Sequence, residues 1–238
     1  MNTSDDATVN KPSVDANALY TAVGNYQNQI IVNSAGAFEY GGLNNLEIPD
    51  TVTFIGDWAF ESTEITELEI PDSVTEIGEY AFEFCSYLQS VKLSNQLKEI
   101  KDGTFGYCNQ LSSVDIPDSI EIIDVEAFKM CYNLTSINIS ENNQIYSSEE
   151  GVVYNKDKTI LVICPSGKES VEIPNTVTNI GEYAFENCTA LKEVYLGSEL
   201  ETLASYAFYK SGLTDISVPS TVTTMGDHVF AECKSLNA

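Results

Sequence analysis

The single histidine of the chain, His228, is the residue best suited to act as a general base. A catalytic serine or cysteine needs such a base beside it, and the fold must bring the two together. His228 stands at a position that is tyrosine in comparable stretches, at Tyr80, Tyr183 and Tyr206. That position is typical of a partly exposed helical residue rather than of an active site, so the sequence favours a protein that is not an enzyme.

Six cysteines are the next candidates for chemistry, as disulfides, metal ligands or free thiols. Five of them recur at one position of a repeated pattern that Cys164 does not share, namely Cys85, Cys108, Cys131, Cys188 and Cys233. Side chains at equivalent positions of stacked copies point the same way, which does not suit a disulfide. The sequence has no Cys-x-x-Cys pair, glycine-rich phosphate loop or EF-hand loop. We therefore predict free, buried thiols, and neither a metal nor another cofactor.

Carboxylates dominate the charge, with 36 Asp and Glu against 11 Lys and Arg and a formal net charge of -25 at pH 7. Nucleic acids and anionic membrane surfaces bind clustered Lys and Arg, so this charge argues against both as partners. No apolar run approaches the roughly 18 residues that cross a bilayer, which argues against membrane insertion of this segment. We interpret the acidic residues as exposed groups that keep the protein soluble. A site for cations or basic ligands remains the alternative.

These residues belong to one pattern that is repeated along the chain, as in the stretch Ile70–Leu93. Successive copies are 22 or 23 residues apart, except for one step of 34 residues between Ile139 and Ile173. The reference apolar position of the copies is Ile48, Ile70, Leu93, Ile116, Ile139, Ile173, Leu196 and Val218. A fixed period of this length is typical of a stacked array in which each copy covers the hydrophobic face of its neighbour.

Each copy predicts a short strand, a corner and a short helical turn. Leu68 and Ile70 flank one polar residue, and this alternation predicts a strand with one buried face. A glycine such as Gly78 suits the corner that follows. Phe82 and Cys85 are three residues apart, which predicts a short helical turn with one buried side. Because helices are thicker than strands, we expect stacked copies to curve with the strands on the concave side.

The pattern Leu-x-x-Leu-x-Ile-Pro-x-x-Val-Thr-x-Ile-Gly-x-x-Ala-Phe-x-x-Cys-x-x-Leu resembles the BspA-like leucine-rich repeat family from about residue 43 to residue 236. The resemblance implies an α/β leucine-rich repeat solenoid, right-handed and curved, with a parallel β-sheet on the concave side and short helical turns on the convex side. It also implies an exported protein, since members are mostly carried on cell surfaces. The chain departs from the general consensus at the usual asparagine position, here Thr51 or Ser73, so we predict no asparagine ladder.

The sequence divides into a flexible polar tail at residues 1–25, a degenerate N-terminal cap at 26–42 and the leucine-rich repeat array at 43–238, with an insert at about 140–170. Within the insert, Gly151–Tyr154 and Ile160–Ile163 are separated by a polar turn and predict a β-hairpin. The hairpin extends the sheet or supplies a binding loop, and we favour the structural role. The last copy stops at Leu236, so we expect the natural chain to continue or its end to pack on another surface.

The outward side chains of the predicted strands form the candidate binding face, because the rigid concave ladder of an array is its usual binding surface. We take one outward residue per strand: Glu47, Glu69, Lys92, Asp115, Asn138, Glu172, Tyr195 and Ser217. Carbohydrate binding would need an aromatic platform, and this set contains a single aromatic residue. The set itself specifies no partner, and the family resemblance implies adhesion or binding to an unidentified host or microbial surface protein. The alternative is a purely architectural spacer or assembly segment of a longer cell-envelope protein.

The start of the sequence, residues 1–6, has neither the basic nor the apolar region of a signal peptide. The protein is therefore cytosolic, or it is an exported segment whose leader has been removed. The resemblance favours the second interpretation and predicts an extracellular or cell-surface location.

Overall fold

The computed structural model describes residues 23–26, 29–32 and 46–237. Most of the predicted tail at residues 1–25 and of the predicted cap at 26–42 lies outside these residues. The described part of both segments is an antiparallel pair of strands, Val23–Tyr26 and Gln29–Val32. The second of these strands pairs with the first strand of the array, Val52–Ile55.

The described residues form short strands of two to four residues each. In chain order they are β1 (Val23–Tyr26), β2 (Gln29–Val32), β3 (Val52–Ile55), β4 (Glu67–Glu69), β5 (Glu76–Ile77), β6 (Ser90–Lys92), β7 (Glu99–Ile100), β8 (Ser113–Ile116), β9 (Ile122–Ile123), β10 (Ser136–Ile139), β11 (Tyr146–Glu149), β12 (Val152–Asn155), β13 (Ile160–Ile163), β14 (Ser170–Glu172), β15 (Asn179–Ile180), β16 (Glu193–Tyr195), β17 (Thr202–Leu203) and β18 (Thr224–Met225). Strands this short are stable only because neighbouring coils pair with them and cover them.

The first strand of each copy forms a wall of parallel strands. Four of them make a sheet in the order β10-β8-β6-β4, and β14 and β16 make a separate two-stranded sheet. In β4, Leu68 is buried between the exposed Glu67 and Glu69, and β6 repeats this alternation. The prediction of parallel strands with one buried face is confirmed.

A second wall of strands lies where we predicted only a corner. Short strands such as β5 pair parallel from coil to coil, in the orders β3-β5, β7-β9 and β13-β15-β17-β18. Gly78 follows β5 at the corner, where an added Cβ would lie 2.4 Å from the backbone nitrogen of Asp57. The two backbones approach so closely that this position requires glycine.

The third wall consists of turns instead of the short helical turn that we predicted, and the described residues contain no helix. Tyr80 and Phe84 have φ angles of 57° and 59°, in the left-handed region that a right-handed helix excludes. Between them, Phe82 donates its N–H to the Thr104 carbonyl of the next coil at 2.9 Å. Alternate backbone donors of this stretch, those of Tyr80, Phe82 and Phe84, therefore bind the adjacent coil, and no helix forms.

Stacked phenylalanines from successive coils form the centre of the core. Neighbouring ring centroids lie 5.2 to 5.6 Å apart in the first file, which is Phe60, Phe82, Phe105 and Phe128. They lie 4.6 and 5.4 Å apart in the second file, which is Phe185, Phe208 and Phe230. Each coil therefore contributes one ring to a stack that is continuous within each file.

The insert lies between the two files. β12 pairs antiparallel with β11 on one side and with β13 on the other, and β13 pairs parallel with β15. Side chains alternate between the two faces of a strand. Val153 accordingly packs into the core that holds Phe128, whereas Tyr154 and Cys164 pack into the core that holds Phe185. The insert is therefore a layer between two hydrophobic cores.

A buried asparagine begins the insert. Asn143 is fully buried at a position where the preceding copy has the aliphatic Ile120. Its Nδ2 donates to the carbonyls of Pro117 at 3.3 Å and Ile120 at 2.7 Å, and its Oδ1 accepts the N–H groups of Ile145 at 2.9 Å and Tyr146 at 2.8 Å. All the hydrogen-bonding groups of this amide are used, so it is stable in an apolar interior.

Candidate functional site

The candidate site is the exposed side of the first wall, which we call the first-strand face. It is defined by the eight outward residues predicted from the sequence, Glu47, Glu69, Lys92, Asp115, Asn138, Glu172, Tyr195 and Ser217, and all eight are exposed. For the six that lie in strands, exposure follows from strand alternation, because the residues on either side of each one pack into the core.

Four of the eight residues form a continuous file across the four-stranded sheet. The strand register pairs Glu69 with Lys92, Lys92 with Asp115, and Asp115 with Asn138. Lys92 Nζ lies 2.5 Å from Glu69 Oε1, and Asn138 Nδ2 donates to Asp115 Oδ1 at 2.9 Å. The hydrogen bond to Glu69 raises the pKa of Lys92. Both side chains of this ion pair are 69% exposed, so the pair adds little to stability and can exchange with charges of a partner.

A groove of about 550 Å³ runs beside this file. It is lined by Val91, Lys92, Leu93, Asn95, Asp115, Ile116, Pro117, Asn138, Ile139 and Ser140. Its volume lies within the roughly 300–1,000 Å³ of ordinary ligand sites, and apolar residues alternate with polar ones along it. The file of charged and amide groups therefore stands next to a concave, partly apolar surface.

Two polar residues of the groove, Asn95 and Ser140, were not in the predicted set. Asn95 donates its backbone N–H and its Nδ2 to Asp72 Oδ1, at 2.8 and 3.2 Å, and the backbone hydrogen bond lowers the pKa of Asp72. Both residues lie just after a strand, at the corner, where strand alternation no longer predicts which way a side chain points. A polar residue within three positions after the end of the strand is the sequence signal that would have included them.

The other four residues lie apart from this file. Glu172 and Tyr195 are cross-strand partners on the separate sheet of β14 and β16. Tyr195 is 59% exposed and donates its hydroxyl to Glu193 Oε2 at 2.7 Å, which raises the pKa of Tyr195. Glu47 and Ser217 are exposed but belong to no strand. The predicted ladder is therefore divided into separate groups, with the insert next to β10 at the point of division.

His228 is placed as a structural residue. It is exposed, and its ring stacks on Tyr206 with a centroid separation of 4.9 Å and an angle of 1° between the planes. Across residues 46–237 the imidazole makes no hydrogen bond to a serine or cysteine. The stacking continues the file of Tyr183 and Tyr206, whose centroids lie 5.1 Å apart. The geometry therefore assigns His228 to the tyrosine position of the repeat.

All six cysteines are free. Cys85 Sγ donates to the Phe60 carbonyl of the preceding coil at 3.2 Å, and Cys108 and Cys131 repeat this contact at 3.4 and 3.0 Å. Burial raises the pKa of Cys85 to about 11, so its thiol stays protonated at neutral pH and is a poor nucleophile. Among the described residues, no group of three or more His, Cys, Asp and Glu side chains is placed to hold a metal ion.

Successive coils pair strand on strand and stack ring on ring, and one wall of parallel strands is exposed. This arrangement defines a repeat solenoid. The BspA type leucine-rich repeat region matches the chain in 6 copies, over residues 32–150 and 164–238. The chain belongs to this family. A comparison with curated proteins finds no match. Within the part of the chain that the structure describes, no helix is long and apolar enough to span a membrane.

Solved bacterial structures share the fold. The structure of the pneumococcal vaccine antigen PcpA is 26% identical with a TM-score of 0.64, over 79% of this chain and 53% of that one. A leucine-rich repeat protein from Eubacterium ventriosum is 27% identical with a TM-score of 0.61, over 79% and 59% of the two chains. One from Bacteroides ovatus, at 24% identity, a TM-score of 0.58 and coverage of 87% and 56%, shows the fold alone. The chain thus spans little more than half the length of each.

Proposed function

We propose that this protein is a non-catalytic interaction module, exposed on a cell surface or secreted, that adheres to another protein through the first-strand face. The observation that carries the proposal is the groove of about 550 Å³ beside the file of Glu69, Lys92, Asp115 and Asn138. A rigid parallel sheet supports both features, so the partner meets groups that are already in position.

The chemistry of the face favours a protein over other partners. The groove offers apolar contact from Leu93 and Ile116 and polar contact from Lys92 and Asp115, the mixture found in protein interfaces. The formal net charge of -25 repels nucleic acid and anionic lipid. A sugar-binding platform needs aromatic rings presented face-on to the ligand, and this part of the face has none.

The location in the proposal is supported by the family and by its structural relatives. The pneumococcal structure is described as that of a vaccine antigen, which fits a protein that lies outside the cell. The acidic, soluble character of this chain is compatible with such a location. We propose an extracellular or cell-surface location for this chain on that basis.

The test starts from an array of purified secreted and cell-surface proteins, followed by surface plasmon resonance on any protein that binds the chain. A triple variant, Glu69→Ala with Lys92→Ala and Asp115→Ala, removes three charges from the file. We expect it to weaken binding at least about tenfold, because these groups would contact the partner directly. Retained affinity in a folded triple variant would exclude the first-strand face.

A matched control uses the second wall. Lys98 and Glu121 form an ion pair at 2.8 Å that is also exposed, at 62% and 60%, but outside the first-strand face. Lys98→Ala with Glu121→Ala and Glu201→Ala likewise removes one positive and two negative charges, and Glu201 is exposed directly before β17, away from the groove. We expect this control to bind the partner as the unmodified chain does, which separates the effect of position from the effect of net charge.

The architectural alternative has one observation in its favour. Interface energy is usually concentrated in Trp, Tyr and Arg, and among the eight residues of the face Tyr195 alone is of these types. A spacer would need no such anchors. If no protein of the array binds the chain, the spacer becomes the better account.

A further inference from the structure

A cleft lies where the insert meets the first wall. β14 pairs with β16 on one side, and no other described strand pairs with it. Its open side faces a cleft of about 140 Å³, lined by Glu149, Glu150, Val152, Tyr154, Lys168, Ser170, Val171, Glu172 and Pro174. We call this the seam cleft. It is smaller than the roughly 300–1,000 Å³ of small-molecule sites, so it has room for about one side chain.

Tyr154 gives the first indication of a ligand. The residue is only 1% exposed and lines the seam cleft, yet its hydroxyl has no hydrogen-bond partner among the described residues. Burial and the neighbouring carboxylates of Glu149 and Glu150 raise its pKa, so the hydroxyl is protonated at neutral pH. The hydroxyl of this otherwise buried side chain can therefore donate a hydrogen bond to a ligand in the cleft or accept one from it.

The charges around the cleft give the second indication. Three carboxylates line it, from Glu149, Glu150 and Glu172. Glu149 is paired with Lys158, and Lys168 Nζ donates to the backbone carbonyl of Glu150 rather than to its carboxylate. The carboxylates of Glu150 and Glu172 therefore have no counter-ion within the described part of the chain. The three carboxylates that line the cleft outnumber its one lysine, Lys168, so the cleft carries net negative charge.

We propose that the seam cleft binds one cationic side chain, lysine or arginine, of a protein partner. The ammonium or guanidinium group donates to Glu172 and Glu150 and to the Tyr154 oxygen, and the aliphatic stem packs on Val152 and Val171. Glu172 also belongs to the first-strand face, so this proposal rests on the proposed function and adds a specificity pocket to it. A bound metal ion fits less well, since no metal-binding group is found among the described residues.

The experiment titrates the full chain with three probes, followed by nuclear magnetic resonance. The probes are the amides of N-acetyl-lysine, N-acetyl-arginine and, as the uncharged control, N-acetyl-norleucine. We expect a cationic probe to bind with millimolar affinity and to shift the amide signals of Tyr154, Val171 and Glu172, whereas the norleucine probe does not. Comparing lysine with arginine identifies which cation the cleft prefers.

Variants then test which groups hold the probe. Glu172→Gln should weaken binding about tenfold or more, because a charge-assisted hydrogen bond is lost. Tyr154→Phe keeps the buried ring and should weaken binding by a smaller factor. Glu67→Gln is the matched control, an exposed strand carboxylate away from the cleft, and should leave binding unchanged.

Several results would overturn the proposal. The first is that neither cationic probe shifts the amide signals at concentrations up to about 50 mM, far above the millimolar affinity expected of such a site. The second is that Glu67→Gln weakens probe binding as much as Glu172→Gln does. Calcium that binds at the same residues and displaces the probes would assign the cleft to a metal instead. If the probes fail while the triple variant of the first-strand face still abolishes protein binding, the cleft is wrong and the proposed function stands.

Discussion

The regular coils and the insert satisfy their buried groups in opposite ways. In the regular coils a buried side chain packs against the residues at the equivalent repeat position in the neighbouring coils. Phe105 stacks between Phe82 and Phe128, with both centroid separations at 5.6 Å. Because every coil offers its neighbour the same surface, one local rule stabilises the whole stack.

The insert replaces this rule with contacts that occur once in the described array. Asn143 takes an aliphatic position and binds two carbonyls and two N–H groups. One contact of the regular coils is kept, since the carbonyl of Cys164 accepts the Cys188 thiol at 3.6 Å, as the Phe60 carbonyl accepts the Cys85 thiol. The insert also places Tyr154 at the seam cleft, at a position that no regular coil contains. The interruption of a repeat is therefore where a specific site can arise.

The largest effect is expected from breaking the phenylalanine file. Phe105 is fully buried and stacked on two rings, so Phe105→Ala should lower the free energy of unfolding by about 4 kcal/mol. Phe185 is equally buried but has one stacked ring, Phe208, at 4.6 Å, because the insert interrupts the file. Phe185→Ala should therefore cost about 1 kcal/mol less. Urea denaturation followed by circular dichroism measures both, and an equal or larger loss for Phe185→Ala would contradict the role of stacking.

A second prediction concerns a substitution that restores the repeat pattern of the regular coils within the insert. Asn143→Leu restores the aliphatic residue of the pattern, and on the pattern alone it should stabilise the protein. The structure predicts the reverse, a loss of about 3 kcal/mol, because two carbonyls and two N–H groups lose their partner in an apolar interior.

The control for this prediction is Ile120→Leu, a swap of equal volume at the same position of the preceding coil, which should cost less than about 1.5 kcal/mol. Thermal denaturation of the two variants beside the unmodified chain is sufficient. An increase in the stability of Asn143→Leu would show that the pattern, and not the local hydrogen bonds, governs this position.

The same contrast explains which parts of the fold could be predicted from the sequence. The alternation at Leu68 and Ile70 predicts the first wall, because a buried face with a period of two fits only a strand. The spacing of Phe82 and Cys85 is compatible with a helix and equally with two tight turns. The choice depends on hydrogen bonds to the next coil, such as that from Phe82 N–H to Thr104, which no local pattern contains.

The sequence likewise predicted the part of the candidate site that lies on regular coils, and not the part that the insert affects. Glu69, Lys92 and Asp115 come together because they belong to consecutive regular copies, whose register the spacing determines. Glu172 lies apart from them, since the 34-residue step places the insert between its strand and theirs. Tyr154 belongs to no repeated position. The pattern alone therefore could not identify it as a residue of interest.

The smallest predicted effect concerns the thiols of the regular coils and appears at alkaline pH. Burial raises the pKa of Cys85 from 9.0 to about 11, so the folded state holds this proton more tightly than the unfolded chain. The resulting stabilisation is fully present below pH 9 and is lost as the pH rises to 11. Two pKa units correspond to about 2 to 3 kcal/mol.

Cys85→Ala removes this contribution, so the unmodified chain should lose about 2 kcal/mol more than the variant between pH 9 and 11. Urea denaturation at a series of pH values measures the difference, and tyrosine ionisation cancels because it is common to both proteins. Parallel curves for the two proteins would mean that the thiol is solvated in the native state. In that case water would reach the contact between the Cys85 thiol and the Phe60 carbonyl. The core of the regular coils would then be as accessible to water as the seam cleft.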